Sequence, residues 1–304
     1  MSESENIRLL TNHQLDYDKW EGCIGKASSG VLYVHGWYLD LVAEGWQALV
    51  FGDYEYVMPL PVKSRFGIKY VYQPTFCQQL GIYPNPPLEI QKLFAAFLRK
   101  RFRLISYQLS TENNVTAFEG YQSVQKVNYT MPLSFGVGAR VDGFSNHARR
   151  NIAGARKNNV NIMKGLLPHT YLESKKLLLK KSPDEMAYQA LTRLMANTVL
   201  SGKGVIYAAW SSDNSLCAAA FLIFDMNRIY YLNAFSTEEG RKNRAMYAIV
   251  DEIIKEFTGS GFILDFEGSV IEGVARFYKG FGAAPENYFY IYSNRLPFIR
   301  KFMK

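Results

Sequence analysis

The sequence predicts an α/β protein, and three observations in the stretch 228–292 lead to that prediction. Ile229–Phe235 is rich in β-branched and aromatic residues, as expected of a strand. From Ala245 the apolar residues follow helical spacing. After Gly261, the run Phe262–Phe266 again has the composition of a short buried strand. Two neighbouring strands joined through a helix are expected to be parallel.

The helix that begins at Ala245 is predicted to be amphipathic. Its apolar stripe consists of Met246, Ile249, Val250, Ile253, Ile254 and Phe257. The opposite face is predicted to carry Asp251, Glu252, Lys255 and Glu256. Gly259 and Gly261 are typical of the end of such a helix.

Two carboxylates follow the second strand of this stretch. Asp265 and Glu267 lie at the carboxyl end of a parallel strand, where open α/β sheets bind ligands. If both side chains face one cleft, their repulsion favours protonation of one of them, which suits a general base. The alternative is that Glu267 caps local amides or pairs with an arginine. Ser269–Glu272 then has the pattern of a capping box, and Gly280 is predicted to end the helix that it opens.

The first half of the chain repeats the order hairpin, loop, helix and strand that the second half shows. Its predicted helices and strands are Leu15–Ala27, Leu32–Leu41, Trp46–Phe51, Tyr54–Leu60, Ile68–Tyr72, Leu88–Phe102 and Leu104–Leu109. A length of 304 residues suits two domains. We predict domains at residues 1–144 and 145–304.

The composition favours a basic protein of the cytoplasm. The 35 Lys and Arg exceed the 27 Asp and Glu, and a net charge of +8 suits an anionic partner or a merely basic surface. No apolar run approaches the ~20 residues that cross a bilayer, so no stable membrane insertion is expected. The residues after Met1 are polar and acidic, unlike a signal peptide, and the three cysteines show no pairing pattern. The four histidines are scattered, so no metal site is predicted.

The order of elements after residue 228, with Tyr278 shortly before Gly280 and Phe281, resembles the C-terminal half of the GNAT N-acyltransferase superfamily. Two such units in one chain, with the basic stretch Asn146–Lys157 opening the second, resemble the FemAB-like group, whose best-known members are peptidyltransferases that use aminoacyl-tRNA. This resemblance implies two tandem GNAT-like domains with mixed sheets flanked by helices. The first would shape the acceptor cleft without a donor site, and the second would hold the donor and catalytic site.

The resemblance also implies the chemistry, which is transfer of an acyl group from acyl-CoA, such as acetyl-CoA, to an amine. Glu267, with Asp265 beside it, is the candidate base or acceptor anchor. Tyr278 matches the position of the family's proton donor. The alternative for Tyr278 is a core aromatic, because Phe277 and Phe281 lie beside it.

Donor binding is implied for the end of the first strand and the loop after it. The residues concerned are Asn233, Ser236, Arg241, Lys242, Asn243 and Arg244. The loop departs from the family pattern, because Arg244 replaces a glycine and Met246 replaces a small residue. A side chain there crowds the backbone approach of a phosphate. Three alternatives follow. The basic side chains bind the phosphate in place of the backbone, the donor is a molecule other than CoA, or the loop is exposed to solvent and binds no donor.

A second basic segment is the candidate contact for tRNA. Its cations are Arg149, Arg150, Arg156 and Lys157. Arg149 and Arg156 are seven residues apart and therefore share a helix face, and the same holds for Arg150 and Lys157. The alternative is a solvated face, as we predict for the run Lys175, Lys176, Lys180 and Lys181.

Three functions remain open at this point. They are an acyl-CoA-dependent N-acyltransferase, an aminoacyl-tRNA-dependent peptidyltransferase acting on a cell-wall precursor, and an inactive GNAT-like binding protein. The inactive form is expected to bury Asp265, Glu267 and Tyr278 in core packing. Either enzyme is expected to place at least two of them in one cleft.

Overall fold

A computed structural model of the chain describes residues 6–28, 32–134, 136, 142–178, 184–268 and 271–296. Backbone contacts divide the chain into two compact units, one of residues 1–126 and 287–304 and the other of residues 127–286. The boundary predicted after residue 144 therefore differs from the boundary between these units. The difference comes from long-range strand pairing, because residues 130–132 pair with residues 263–265.

The helices and strands, in chain order, alternate through both units. Up to residue 132 they are β1 Ile7–Thr11, α1 Tyr17–Ile24, α2 Gly36–Val42, β2 Gln47–Phe51, β3 Tyr56–Leu60, β4 Val62–Arg65, β5 Ile68–Val71, α3 Leu88–Arg101, β6 Leu104–Gln108 and β7 Gln122–Pro132. After that they are α4 Asn146–Lys157, β8 Asn161–Lys164, α5 Pro168–Leu178, α6 Glu185–Leu200, β9 Gly204–Trp210, β10 Leu216–Asp225, β11 Arg228–Ser236, α7 Glu238–Lys242, α8 Ala245–Phe257, β12 Ile263–Asp265, α9 Glu272–Gly280 and β13 Ala284–Asn294. No helix in these described ranges is long and apolar enough to cross a bilayer.

The first unit contains an antiparallel sheet, β1–β2–β3, and a mixed set of ladders, β4–β5–β6–β13. β5 and β6 are parallel, whereas β4 with β5 and β6 with β13 are antiparallel. Trp20 and Trp46 are both fully buried with their ring centroids 5.1 Å apart, so they form the centre of one core. The predicted helix Leu32–Leu41 is interrupted, because a short 3₁₀ turn ends at Val34 before α2 begins.

The second unit has the strand order β7–β12–β11–β10–β9–β8. β11 and β12 are parallel, as the sequence predicted, and the other ladders of this unit are antiparallel. The predicted stripe of α8 is confirmed, and its four central members, Ile249, Val250, Ile253 and Ile254, are fully buried. The prediction that Asp251 lies on the solvated face was wrong. Because α4 packs on that side of α8, Asp251 is buried and forms an ion pair with Arg156 at 3.0 Å.

The parallel ladder between β11 and β12 is short. It joins Arg228–Tyr230 to Ile263–Asp265, whereas β11 continues to Ser236. The chain leaves β12 through Glu267 and Gly268, which both have left-handed φ values, of 62° and 64°. The two strands therefore part after Asp265, and no strand among the residues that the structure describes pairs with this edge of β11 beyond Tyr230. An edge of this kind offers free N–H and C=O groups to a ligand.

The short helix α7 is fixed to β10 by backbone contacts. The backbone N–H and the hydroxyl of Thr237 both donate to the carbonyl oxygen of Cys217, at 2.9 and 3.0 Å. The Thr237 hydroxyl also accepts from the N–H of Gly240, at 2.9 Å. Gly240 lies so close to this strand that a Cβ atom there would approach the Cys217 carbonyl oxygen within 2 Å. The loop before α8 is therefore held by a contact that only glycine permits.

We predict that Gly240→Ala lowers the free energy of unfolding by about 2 kcal/mol, as expected when a methyl group is forced against a fixed backbone. Gly273→Ala is the control, because a Cβ at Gly273 meets no atom within 4 Å and alanine favours the helix. Urea denaturation of both variants measures the difference. Equal stability of the two variants would show that the close approach at Gly240 is readily relieved.

Candidate functional site

A cavity of about 580 Å³ lies where β11 and β12 part. The exposed end of β11, the turn after β12, the loop before α8 and the face of α9 all contribute to its wall. The lining residues are Tyr231, Leu232, Asn233, Ala234, Phe235, Ser236, Gly240, Arg241, Arg244, Met246, Tyr247, Phe266, Glu267, Gly268, Gly273, Val274, Phe277 and Tyr278. Glu267 and Tyr278 thus share one cavity, while Asp265 does not line it.

Glu267 reaches the cavity because of its backbone conformation. A left-handed φ is unfavourable for a residue with a side chain, so neighbouring contacts must hold it. The N–H of Glu267 donates to Oδ1 of Asp265 at 2.9 Å, which fixes the peptide at this turn. Ser269, the first residue of the predicted capping box, lies outside the described residues, and α9 begins at Glu272.

Asp265 differs from its predicted role in the cleft. The residue is 2% exposed, and Oδ2 accepts from Nη1 of buried Arg228 at 2.6 Å. Glu286 lies 3.6 Å from the same nitrogen, and Asn128 donates to Glu286 at 3.5 Å. The partner of the Asp265 carboxylate is therefore the buried guanidinium of Arg228. It is not paired across a cleft with the carboxylate of Glu267. The sequence gives no sign of this pairing, because Arg228 is 37 residues away.

Tyr278 lies among aromatic rings at the base of the cavity. Its ring stacks on Phe266 with centroids 4.5 Å apart, and Tyr129 and Tyr231 contact it at 6.2 and 6.4 Å. The residue is 7% exposed, yet it lines the cavity. Burial, followed by the negative charges of Glu267 and Asp265, raises the pKa of Tyr278 well above its ordinary value. Its hydroxyl is therefore protonated at neutral pH.

A β-bulge decides which way Asn233 points. Tyr231 pairs with Leu222 and Asn233 with Phe221, so Leu232 is an extra residue in β11. In a regular strand, residues 231 and 233 face the same side. Here the Tyr231 ring contacts Phe266 and Tyr278, whereas the side chain of Asn233 reaches α5.

On the α5 side, Asn233 is held by two donors. Its Oδ1 accepts from the hydroxyl of Tyr171 at 2.8 Å and from Nζ of Lys175 at 2.7 Å. Nζ of Lys175 also lies 3.4 Å from the carbonyl oxygen of Ala234, and burial lowers the pKa of this lysine. The prediction of a solvated run was therefore wrong for Lys175. It holds for exposed Lys176, while Lys180 and Lys181 lie outside the described residues.

The sequence contains a signal that would have found Lys175. Tyr171 precedes it by four residues, and residues at that spacing share a helix face. Because α5 begins at Pro168, the fully buried Tyr171 belongs to the helix and identifies its inner face.

The residues predicted to bind a donor divide into two groups. Asn233, Ser236, Arg241 and Arg244 line the cavity, and Nη1 of Arg241 donates to the carbonyl oxygen of Ser236 at 2.9 Å. Lys242 and Asn243 do not line it. Lys242 pairs with Glu238 at 3.0 Å and Asn243 with Glu239 at 3.4 Å, both along α7.

Arg244 occupies a backbone position that suits glycine. It is the N-cap of α8 with φ 61° and ψ 26°, and its side chain makes no capping hydrogen bond. Glycine would adopt this left-handed conformation without strain, whereas arginine adopts it at a cost. The first amides of an α-helix lack partners within the helix, and here that end borders the cavity at Arg244, Met246 and Tyr247.

The basic helix α4 lies beside this end of α8. His147 contacts the ring of Tyr247, and Gly154 approaches the Arg244 side chain. Arg156 is tied to Asp251, and Arg149 donates to the Asp142 carbonyl oxygen at 3.2 Å. Arg150 and Lys157 are both exposed to solvent. Within the described ranges, no three side chains of the types that bind metals come together.

We predict that Asp265→Ala lowers the free energy of unfolding by about 3 kcal/mol, since it leaves Arg228 buried without its nearest carboxylate. The double variant Arg228→Leu with Asp265→Leu is expected to recover most of that loss. Glu272→Ala is the matched control, because its ion pair with Arg276 is exposed and is worth at most about 1 kcal/mol. Urea denaturation provides all of these values. A loss as small as that of the control would mean that the buried pair does not hold the turn.

Comparisons with known proteins show similarity in structure without similarity in sequence. No protein-family model matches the chain, and a search of curated proteins found no match. The structure is similar to that of FemX, with a TM-score of 0.64 and 12% sequence identity over 95% of this chain and 98% of that chain.

Two further solved structures are similar over nearly their whole length. L-PGS from Bacillus licheniformis has a TM-score of 0.56 and 12% identity, covering 93% of this chain and 92% of that chain. A conserved protein of unknown function from Bacteroides thetaiotaomicron VPI-5482 has a TM-score of 0.60 and 8% identity, covering 92% and 98%. The predicted fold class is therefore confirmed: the chain has a mixed α/β fold of the GNAT-like, FemAB-like kind, which it shares with FemX and L-PGS.

Proposed function

We propose that the protein is an acyltransferase that moves an acyl group from acyl-CoA to an amine in the cavity between β11 and β12. The observation that carries this proposal is that Glu267, Tyr278 and the N-terminal end of α8 all border one cavity. Two of the three residues that the inactive alternative expects in core packing thus share a cleft. The fold, which the chain shares with FemX and L-PGS, supports a transferase of this class.

The residues around the cavity fit a donor with a phosphate-bearing arm. The free edge of β11 offers backbone groups along Leu232–Ser236 to an extended chain such as the pantetheine of CoA. The N-terminal end of α8 favours anionic groups such as the pyrophosphate. Arg241 and Arg244 add charge-assisted hydrogen bonds there and offset the loss of the family's glycine.

The side chains then have separate tasks in the transfer. Glu267 accepts a proton from the ammonium group of the acceptor, so that the neutral amine attacks the thioester carbonyl carbon. Backbone N–H groups at the β11 edge stabilise the negative charge that develops on the carbonyl oxygen. As the new C–N bond forms and the C–S bond breaks, Tyr278 gives its proton to the departing sulfur, and the attacking nitrogen releases its remaining extra proton to solvent to give the amide. Bulk solvent restores both groups.

In our proposal, Asp265 contributes to this chemistry only by positioning Glu267. It fixes the peptide of Glu267 and does not touch the reactants. The first unit is proposed to contribute acceptor specificity, as the resemblance implies. Cys23, Cys77 and Cys217 are buried and form no disulfide bonds with one another, and we propose that the protein works in the reducing cytoplasm.

One observation favours aminoacyl-tRNA as the alternative donor. Arg150 and Lys157 are exposed on α4, and α4 also approaches Arg244 at the cavity. A basic surface that continues from the donor site along a helix suits a nucleic-acid backbone better than a single pyrophosphate. In that case the chain is a FemAB-like peptidyltransferase acting on a cell-wall precursor, with the same roles for Glu267 and Tyr278.

We predict that Arg241→Ala with Arg244→Ala weakens the binding of acetyl-CoA by more than about tenfold, since hydrogen bonds to charged groups contribute roughly 1.5–3 kcal/mol each. Lys242→Ala is the matched control, because Lys242 belongs to the same basic loop but pairs with Glu238 outside the cavity. Isothermal calorimetry measures each affinity, with CoA and charged tRNA as further ligands. If the double variant binds every donor as tightly as the control, the donor site lies elsewhere.

We predict that Tyr278→Phe slows acyl transfer at least ~10-fold while it changes the free energy of unfolding by no more than about 1 kcal/mol. The ring and its stacking on Phe266 remain, and only the proton donor is lost. The effect is expected to be larger with aminoacyl-tRNA, because a ribose alkoxide is a more basic leaving group than a thiolate. Single-turnover rates with each donor measure this. Full activity of the variant would make Tyr278 a core aromatic and would favour the inactive alternative.

A further inference from the structure

The hairpin of β4 and β5 ends in an exposed aromatic residue. Phe66 and Gly67 form its two-residue turn, with φ values of 50° and 75°. The Phe66 side chain is 82% exposed to solvent. The hairpin belongs to the first unit and lies in a part of the sequence that the proposed acyl transfer does not use.

Phenylalanine is an unfavourable choice at this position for two separate reasons. Both φ values are positive, as in the type I′ turns that prefer Asn-Gly, and a bulky residue with positive φ is strained. An exposed ring also leaves apolar surface in water. Phe66 is therefore a strained and water-exposed residue at the tip of the hairpin, where its ring is accessible to a surface that approaches the hairpin.

The residues around Phe66 carry positive charge. Lys63, Arg65 and Lys69 belong to the hairpin, and residues 56–88 contain no Asp or Glu. The register pairs Arg65 with Ile68 and Ser64 with Lys69, so the cations occupy both faces of the hairpin. The guanidinium of Arg65 lies over the Phe66 ring, 5.5 Å from its centroid.

We propose that this hairpin docks the protein on an anionic lipid bilayer, with the Phe66 ring at headgroup depth and the three cations at the lipid phosphates. A protruding ring with cations on both faces suits a fluid surface of uniform negative charge, which adapts to the hairpin. An acidic protein partner would need an apolar patch around the ring, and the adjoining tip residues Ser64 and Arg65 are polar and exposed. This inference goes beyond the proposed function and does not depend on it.

Sedimentation with vesicles tests the proposal with the full chain. One set of vesicles contains equal parts of phosphatidylglycerol and phosphatidylcholine, and the other contains phosphatidylcholine alone. The main variant is Phe66→Asn, because asparagine suits the turn and is expected to keep the hairpin folded. Met226→Asn is the matched control at the turn between β10 and β11. Met226 also has φ 50° and is 61% exposed, but the residue before it is Asp225, whereas the residue before Phe66 is Arg65.

The wild-type chain is expected to sediment with the anionic vesicles and to remain in solution with the neutral ones. We expect Phe66→Asn to lower the bound fraction by about fivefold or more and Met226→Asn to leave it unchanged. Arg65→Gln with Lys69→Gln should weaken binding and reduce its dependence on salt. The proposal is overturned if the wild-type chain does not bind anionic vesicles, or if Phe66→Asn binds them as well as the wild type does. An equal loss of binding in Phe66→Asn and Met226→Asn would also overturn it. Loss of tRNA binding in Phe66→Asn without any vesicle binding would assign the hairpin to RNA instead.

Discussion

The short parallel ladder between β11 and β12 is the constraint on which the site depends. After Tyr230 and Asp265 the strands separate, and the end of β11 that results forms one wall of the cavity. The guanidinium of Arg228, in β11, forms an ion pair with the carboxylate of Asp265, the last residue of β12. Because the same carboxylate accepts the N–H of Glu267, the ion pair and the direction of the turn are coupled.

The opposite wall depends on a helix end that faces the same cavity. α7 is packed so tightly on β10 that Gly240 has no room for a side chain, and this fixes where α8 begins. Arg244 keeps the left-handed conformation at that point and adds a cation. The site therefore combines the field of a helix end with side-chain charge. Both of these features favour a negatively charged group at this wall of the cavity.

Much of the fold could be predicted from the sequence, because local patterns decide it. The apolar stripe of α8, the composition of β11 and the glycines after Phe257 each depend on neighbouring residues. The places of Glu267 and Tyr278 at the cavity could be predicted for the same reason, since both lie near element boundaries. Pairing across long distances could not be predicted, and both the division into the two compact units and the partner of Asp265 depend on such pairing.

Two features of the site have no strong sequence signal. The bulge at Leu232 turns Asn233 toward α5, although alternation along the strand would place it beside Tyr231. Lys175 lies in a run of lysines, and only its spacing from Tyr171 distinguishes it from solvated neighbours. Both features orient Asn233 at the edge of the cavity, so packing between elements rather than local pattern shapes this part of the site.

Hydrogen–deuterium exchange with and without acetyl-CoA tests most directly whether the cavity between β11 and β12 holds the donor. The account predicts slower exchange of the amides of Leu232–Ser236 and of the first turn of α8, while the hairpin of β4 and β5 is unaffected. A parallel measurement with aminoacyl-tRNA is expected to protect α4 as well if that is the donor. Protection confined to other segments, or none with either donor, would contradict the account.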